Sequence, residues 1–241
     1  MRDWLFISDL HLAPERPQII DLFARFVSEV AVKADTLYIL GDFVEYWLGD
    51  DDRAEGLKKA FSAFDQLKEA GTNVFMMHGN RDFLIGDDLA TRCHFQLIED
   101  PLPIQIQNHP ALLMHGDTLC TDDVDYQKFR TMVRNTDWQN DFLSKPLKER
   151  EQIALSLREQ SKQATADKSP DIMDVNQDAV IKTIKLHGIS TLIHGHTHRP
   201  AIHEFEVDGN PVKRIVLGDW YKTGSYLRIP EEGESELLTF S

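Results

Sequence analysis

Five short apolar runs, each followed at once by metal-type polar side chains, constrain this chain more than any other feature of its sequence. They are WLFI (Trp4 to Ile7), TLYIL (Thr36 to Leu40), NVFMM (Asn73 to Met77), ALLM (Ala111 to Met114) and STLI (Ser190 to Ile193). None alternates polar with apolar, so each reads as a strand buried on both faces. Amphipathic stretches separate the first three. Ile19, Leu22, Phe23, Phe26, Val27 and Val30 recur at helical spacing, as do Leu57, Ala60, Phe61, Phe64 and Leu67, and Gly71 stops the second helix. Strands alternating with helices predict an α/β domain. Beyond residue 200, IHEFEV, the turn Asp208-Gly209-Asn210 and VKRIVLG predict a hairpin; SYLRI and ELLTF predict two further strands. These form or extend a second sheet packed on the first.

The polar ends of the five runs read SDLH, GDFVE, HGNRD, HGDT and HGHTH. Ligands of open α/β sheets gather at the carboxyl ends of strands, so these ends can converge on one crevice. The converging candidates are Asp9, His11, Asp42, Asn80, His115, His196 and His198. Zinc, manganese and iron accept such imidazole and carboxylate donors, and no cysteine accompanies the set. Seven donors exceed one tetrahedral site and suit two metals sharing a carboxylate. Two metals about 3.5–4 Å apart form a clamp for phosphoryl chemistry. The LGDDDR run at 48–53 matches no calcium-loop spacing and reads as a solvated acidic loop near the cleft.

Composition narrows the field. The chain has 241 residues and a formal net charge of −14, which argues against a nucleic-acid backbone as partner. Two cysteines, Cys93 and Cys120, are too few for a disulfide framework and fit a reducing compartment. Asp3 and Asp9 interrupt what a signal peptide would keep apolar, and no run approaches the ~20 apolar residues of a membrane span. A single domain is expected, with one exceptional connection. Roughly seventy residues separate His115 from the strand before His194, against the usual handful. Asp123 to Asp167 reads as mostly helical, with apolar faces at Val124, Phe129, Met132 and Val133, at Phe142, Leu143 and Leu147, and at Ile153, Ala154 and Leu157. Residues 121–170 hold nine Lys/Arg and nine Asp/Glu, so the rest of the chain carries the full −14. This segment reads as a substrate cap; the alternative is helices that merely extend the core.

The ordered motifs DLH, GDFVE, GNRD, HGD and GHTH resemble the calcineurin-like metallophosphoesterase superfamily over Ile7 to His198. The resemblance implies a sandwich of two mixed sheets flanked by helices, here with a helical insertion at about 121–170. It also implies that Asp9, His11, Asp42 and His198 hold one metal and that Asp42, Asn80, His115 and His196 hold a second, with Asp42 bridging. His194 is then a strand-end residue. His78, His94, His109, His187 and His203 match no ligand position. Many members carry His where this chain has Arg81. Arginine cannot donate a proton to a leaving group, but it can stabilise negative charge at phosphorus. That substitution suits a phosphate-monoester leaving group, as in diphosphate hydrolysis. A structural pair with Asp82 is the other reading of Arg81.

GDFVEYWLGDD, HGNRDFLIG, LMHGDTLCTDD, IMDVNQ and LIHGHTHRPAIHE together closely resemble the UDP-2,3-diacylglucosamine hydrolase family of lipid A biosynthesis. That resemblance implies water attack on the α-phosphorus, giving UMP and 2,3-diacylglucosamine 1-phosphate. It implies two Mn²⁺ ions, and action at the cytoplasmic face of the inner membrane. It places substrate contacts on Asn80, Arg81, Asp123, Ser161, Thr165, Lys168 and His196. Thr165 stands where Asn is expected, and Val44 where Phe is usual. An apolar pocket would serve the acyl chains, each buried CH₂ contributing about 0.8 kcal/mol. Lys168 and Arg158 are the candidate phosphate cations. Two other readings stay open: the same core acting on a cyclic nucleotide or nucleic-acid diester, and a non-catalytic metal-holding protein that binds partners through its insertion.

Overall fold

Strands β1 (Trp4–Ile7), β2 (Thr36–Leu40), β3 (Asn73–Met77) and β4 (Gln96–Ile98) pair in parallel, in that order. The computed structural model describes residues 3–166, 172 and 174–241, apart from the side chains of 162–166. The sheet is completed by β10 (Gly224–Ile229), antiparallel to β1, and by β11 (Glu236–Phe240), antiparallel to β10; SYLRI and ELLTF therefore extend this first sheet and not the second, a correction to the expectation from sequence. A second sheet runs β5 (Leu102–Ile106), β6 (His109–Met114), β7 (Thr191–His194), β9 (Asn210–Val216), β8 (Ala201–Val207). In it β6, β7 and β9 are parallel, with β5 and β8 as antiparallel edges.

The two sheets face each other across Phe6, Leu40, Met77, Leu113, Ile193, Ile215 and Leu227, all fully buried or nearly so. Helices α1 (Pro17–Glu29) and α2 (Lys58–Ala70) cover the outer face of the first sheet. Pro17 suits the first turn of α1, where no backbone N–H is needed. Gly71 takes a left-handed φ of 79° and caps α2, its N–H donating to Leu67 O. Phe23, Phe26, Phe43, Phe64 and Trp220 pack there edge to face or tilted. The architecture is the sandwich of two mixed sheets that the motif resemblance implies.

Four elements lie outside the sequence reading. Strand β4 has three residues. Strand β5 is an edge, alternately exposed and carrying Pro103, so its sequence lacks a continuous apolar run. Helix α3 (Asp87–Arg92) is a six-residue turn over the first sheet. Helix α7 (Gln177–His187) covers the second sheet, packing Val180 and Ile184 on Leu112, Met114 and Leu192. The long connection is therefore a parallel β6–α7–β7 crossover, with α4 (Val124–Val133), α5 (Thr136–Leu143) and α6 (Leu147–Ala166) inserted before its helix.

Candidate metal centre and adjoining cavity

The seven candidate donors leave from the carboxyl ends of five strands: Asp9 and His11 after β1, Asp42 after β2, Asn80 after β3, His115 after β6, His196 and His198 after β7. Five of them sit in left-handed backbone: Asp9 at φ 57°, His11 at 48°, Asp42 at 52°, His196 at 68° and His198 at 56°. For L-residues this region costs about 1–2 kcal/mol each, so the surroundings have to impose it. Here they do so by joining the strand ends. Asp9 N donates to Gly41 O (3.1 Å), His11 N to Asp42 O (2.9 Å) and Gly195 N to His115 O (2.9 Å). Close approach sets the glycines between them. A Cβ on Gly79 would lie 2.2 Å from Asp42 Oδ1, and one on Gly195 would lie 2.4 Å from Asp9 Oδ2.

The result is two adjoining groups of donors. In the first, His198 Nε2 lies 3.2 Å from Asp9 Oδ1 and 3.3 Å from His11 Nε2. In the second, Asn80 Oδ1 lies 3.0 Å from His115 Nε2 and 2.9 Å from His196 Nδ1. Asp42 stands between them, Oδ2 at 3.8 Å from His11 Nε2 and Oδ1 at 3.9 Å from His115 Nε2. Of the outward nitrogens, His115 Nδ1 donates to Leu40 O at 2.9 Å, so the neutral imidazole offers its Nε2 lone pair to the cluster. His11 Nδ1 lies 3.1 Å from Glu45 Oε2, within ion-pair distance but not aligned as a hydrogen bond.

Electrostatically the cluster is discordant without a cation. Burial, reinforced by Asp82 and Asp9, raises Asp42 against the pull of His115 and His11. Burial also opposes the charge on Asp9, yet the His198 hydrogen bond and the neighbouring imidazoles hold it well below the carboxylate range. His115 is pushed up to about 9, because Asp42, Asp117 and Asp9 outweigh its desolvation. His196, desolvated and beside His115, is driven down to about 3. Buried carboxylates and imidazoles of opposed protonation preference, with lone pairs converging, are the donor set of a divalent cation. Asp9, His11 and His198, and Asp9, Asp42 and His115, each bring their ligand atoms within 4.8 Å of one another. The site fits metal on its own chemistry.

Arg81 is bound into this centre by its backbone, its N–H donating to Asp42 Oδ1 at 2.8 Å. Asp82 is otherwise engaged. It accepts the amides of Phe43 and Gly79, each at 2.7 Å, and ties the GD and GN turns together. Arg81 Nε is buried without a hydrogen-bond partner among the described residues. Its side chain helps line a cavity with Asn80, Glu45 and Phe83 on one side and Tyr126, Phe129, Trp138, Phe142, Ala154, Leu157, Arg158 and Ser161 from α4–α6 on the other. Trp138 stacks on Phe142 at 5.2 Å, and the Tyr126 ring tilts over His196 at 5.8 Å.

The other expected residues are placed as follows. Asp123 caps α4, accepting Tyr126 N at 3.0 Å. Lys168 and the side chain of Thr165 lie outside the described residues. Val44 is fully buried and bridges Leu12, so the smaller side chain is absorbed in packing. His194 is buried at the end of β7, with Nδ1 on Gly195 O and Nε2 facing Arg214. His78 bonds Ile85 O, and His94, His109, His187 and His203 lie on exposed positions.

One expectation holds only in part: in the LGDDDR run Asp51 and Arg53 are exposed, but Asp50 accepts Trp47 Nε1 and the amides of Gly86 and Leu89, and Asp51 pairs with Arg150. Arg158, a candidate phosphate cation, lines the cavity and bonds Glu45 at 2.7 Å. Other basic residues of α4–α6 also engage the sandwich. Arg130 and the Tyr126 hydroxyl donate to buried Asp117, Arg134 to Gly79 O, and Arg150 to Leu48 O.

A family model described as calcineurin-like phosphoesterase matches residues 4–200. The UDP-2,3-diacylglucosamine hydrolase of Marinobacter nauticus is 49% identical over 216 residues, covering 90% of this chain and 88% of that protein. Those of Chromohalobacter salexigens (45% identical, 98% and 97% covered) and Stenotrophomonas maltophilia (47%, 96% of each) are similar end to end. The chain belongs to the UDP-2,3-diacylglucosamine hydrolase family of the calcineurin-like phosphoesterases. An archaeal phosphodiesterase, 16% identical with a TM-score of 0.51 over 99% of each chain, shares the fold.

Within this phosphoesterase, Glu45, Asp117, Tyr126 and Arg134 are the site residues the sequence reading missed. The first two were visible in the quoted motifs, three residues after Asp42 and two after His115. Their roles depend on partners more than a helical turn away in sequence, and for Glu45 far more.

Proposed function

We propose that this hydrolase cleaves the diphosphate of UDP-2,3-diacylglucosamine, water attacking the α-phosphorus to release UMP and 2,3-diacylglucosamine 1-phosphate. One observation carries the reading: the donor cluster and the aromatic cavity are continuous, with Asn80 and Arg81 at their junction. A diacylated diphosphate needs both an apolar chamber for its chains and a phosphate site beside it.

In this reading Asp9, His11, Asp42 and His198 hold one Mn²⁺, and Asp42, Asn80, His115 and His196 a second. Bound there, the ions would supply Lewis-acid neutralisation of phosphate charge and an acidified water. The chain's own residues do the rest. Arg81 grips phosphate oxygens through its fork and stabilises charge as phosphorus is attacked. It transfers no proton, and the sugar-phosphate leaving group needs none. His196 is oriented by Tyr126 and Asn80 at the junction. Helices α4–α6 act as a cap over the acyl chains, with Asp123, Ser161, Thr165 and Lys168 as further substrate contacts. Because Arg158 has a carboxylate partner, Arg81 is the chief phosphate cation among the described residues. No described helix is long and apolar enough to cross a membrane. Val124, Met132, Leu143, Leu147 and Leu155 are exposed on the cap and support contact with the inner-membrane surface, where the substrate resides.

The test is kcat/KM with Mn²⁺ on UDP-2,3-diacylglucosamine against bis-p-nitrophenyl phosphate. The reading expects a large preference for the lipid diphosphate; equal or inverted values would return the protein to general diester hydrolysis.

A further inference from the structure

Glu45 divides its carboxylate between two parts of the molecule. Oε2 lies 3.1 Å from Nδ1 of His11, and Oε1 lies 2.7 Å from Nη2 of Arg158. His11 turns its other nitrogen, Nε2, into the donor cluster, 3.3 Å from His198 Nε2. Arg158 comes from α6, and its guanidinium also lies 5.4 Å from the Tyr46 ring centre. The shared carboxylate is 17% exposed and the His11 side chain 4%. At that burial, removing one member leaves the others poorly compensated.

We propose that Glu45 is a positioning residue that couples the seating of α6 to the metal position at His11. The proposal rests on the metal reading above. An imidazole ligand binds best when its second nitrogen is held, which fixes both ring orientation and tautomer. Glu45 is the group placed to hold that nitrogen: Oε2 stands 3.1 Å from it as an ion-pair partner, although the alignment falls short of a hydrogen bond. The same carboxylate anchors Arg158, two turns beyond the Arg150–Asp51 fastening near the start of α6. A cation at His11 therefore orders Glu45, and an ordered Glu45 receives Arg158 at lower entropic cost. Linkage makes the effect reciprocal: a seated α6 favours metal at His11. The cap would then close more firmly on a loaded centre than on an empty one.

The experiment is hydrogen exchange of the full chain, with and without saturating Mn²⁺, read on α6 peptides containing Arg158. Mn²⁺ affinity is measured in parallel by electron paramagnetic resonance. Wild type, Glu45→Gln and Arg158→Ala are compared, and metal-free thermal unfolding checks each fold. In wild type, Mn²⁺ should slow exchange around Arg158 by about 5-fold or more, the lower end of typical coupling. Glu45→Gln should weaken Mn²⁺ binding by about 10–100-fold and, once saturated, show no slowing. Arg158→Ala, whose side chain is partly exposed and touches no donor, should also lose the slowing. Wild type that binds Mn²⁺ with unchanged α6 exchange overturns the coupling, as does full slowing in Glu45→Gln or Arg158→Ala. Wild type that takes up no Mn²⁺ overturns the metal reading and the coupling with it.

Discussion

The backbone amide of Arg81 donates to Asp42 Oδ1 at 2.8 Å, so the residue assigned to bridge two cations also orients the residue assigned to grip phosphate. Asp42→Ala should remove both functions, and Arg81→Ala only the second. Arg81→Ala is expected to lower kcat by about 10²–10³-fold, the scale of losing one preorganised charge-stabilising group. Its metal content should stay intact. Asp42→Ala should lose more activity and most of its metal. Metal analysis of the purified variants beside kcat separates the two; near-wild-type turnover of Asp42→Ala in excess Mn²⁺ would rule out the bridge.

Leu157 lines the cavity from α6, away from the donor cluster. Leu157→Asp places a charge where acyl chains are expected. Burying an uncompensated polar group costs at least about 1–3 kcal/mol, so KM for the diacylated substrate should rise by about 10-fold or more. Turnover of bis-p-nitrophenyl phosphate should change little. Equal losses on both substrates would mean that α6 supports the fold and has no selective role.

The Arg150–Asp51 pair fastens the start of α6 to the loop after β2. The Arg150 hydrogen bond, partly opposed by desolvation, depresses Asp51 below its ordinary 3.8. A depressed carboxylate stabilises the fold above its unfolded pKa and loses that contribution as pH falls through the folded value. The Tm advantage of wild type over Asp51→Asn should therefore be full at pH 7 and shrink below about pH 4. Asp51 is largely exposed, so the difference should be small. A gap that widens as pH falls would contradict the assignment.

Much of this fold was legible because its central strands are buried on both faces, and such strands appear as unbroken apolar runs: Trp4–Ile7, Thr36–Leu40 and Asn73–Met77 match their observed limits. Edge strand β5 was not, since burial on one face and Pro103 erase the run. Helix α7 was missed because it lies in the long connection beyond the stretch 123–167 that read as helical, although Val180 and Ile184 recur at helical spacing and the Asn176 cap bonds the amides of Asp178 and Ala179. The donors were legible as types at strand ends. Their left-handed backbone was not, because Asp and His carry no signature of it. Nor could the sequence pair Arg158 with Glu45, 113 residues away, or Arg150 with Asp51, 99 residues away. Both look like free surface charges until α6 is folded onto the sandwich.

The central claim is Mn²⁺-dependent attack by water on the α-phosphorus of a lipid-linked UDP-sugar. Hydrolysing UDP-2,3-diacylglucosamine in ¹⁸O-water with added Mn²⁺, and locating the label by ³¹P NMR and mass spectrometry, tests it directly. We expect the ¹⁸O in UMP and none in 2,3-diacylglucosamine 1-phosphate, with no reaction in chelator. Label in the sugar phosphate, or full turnover without metal, would contradict the account.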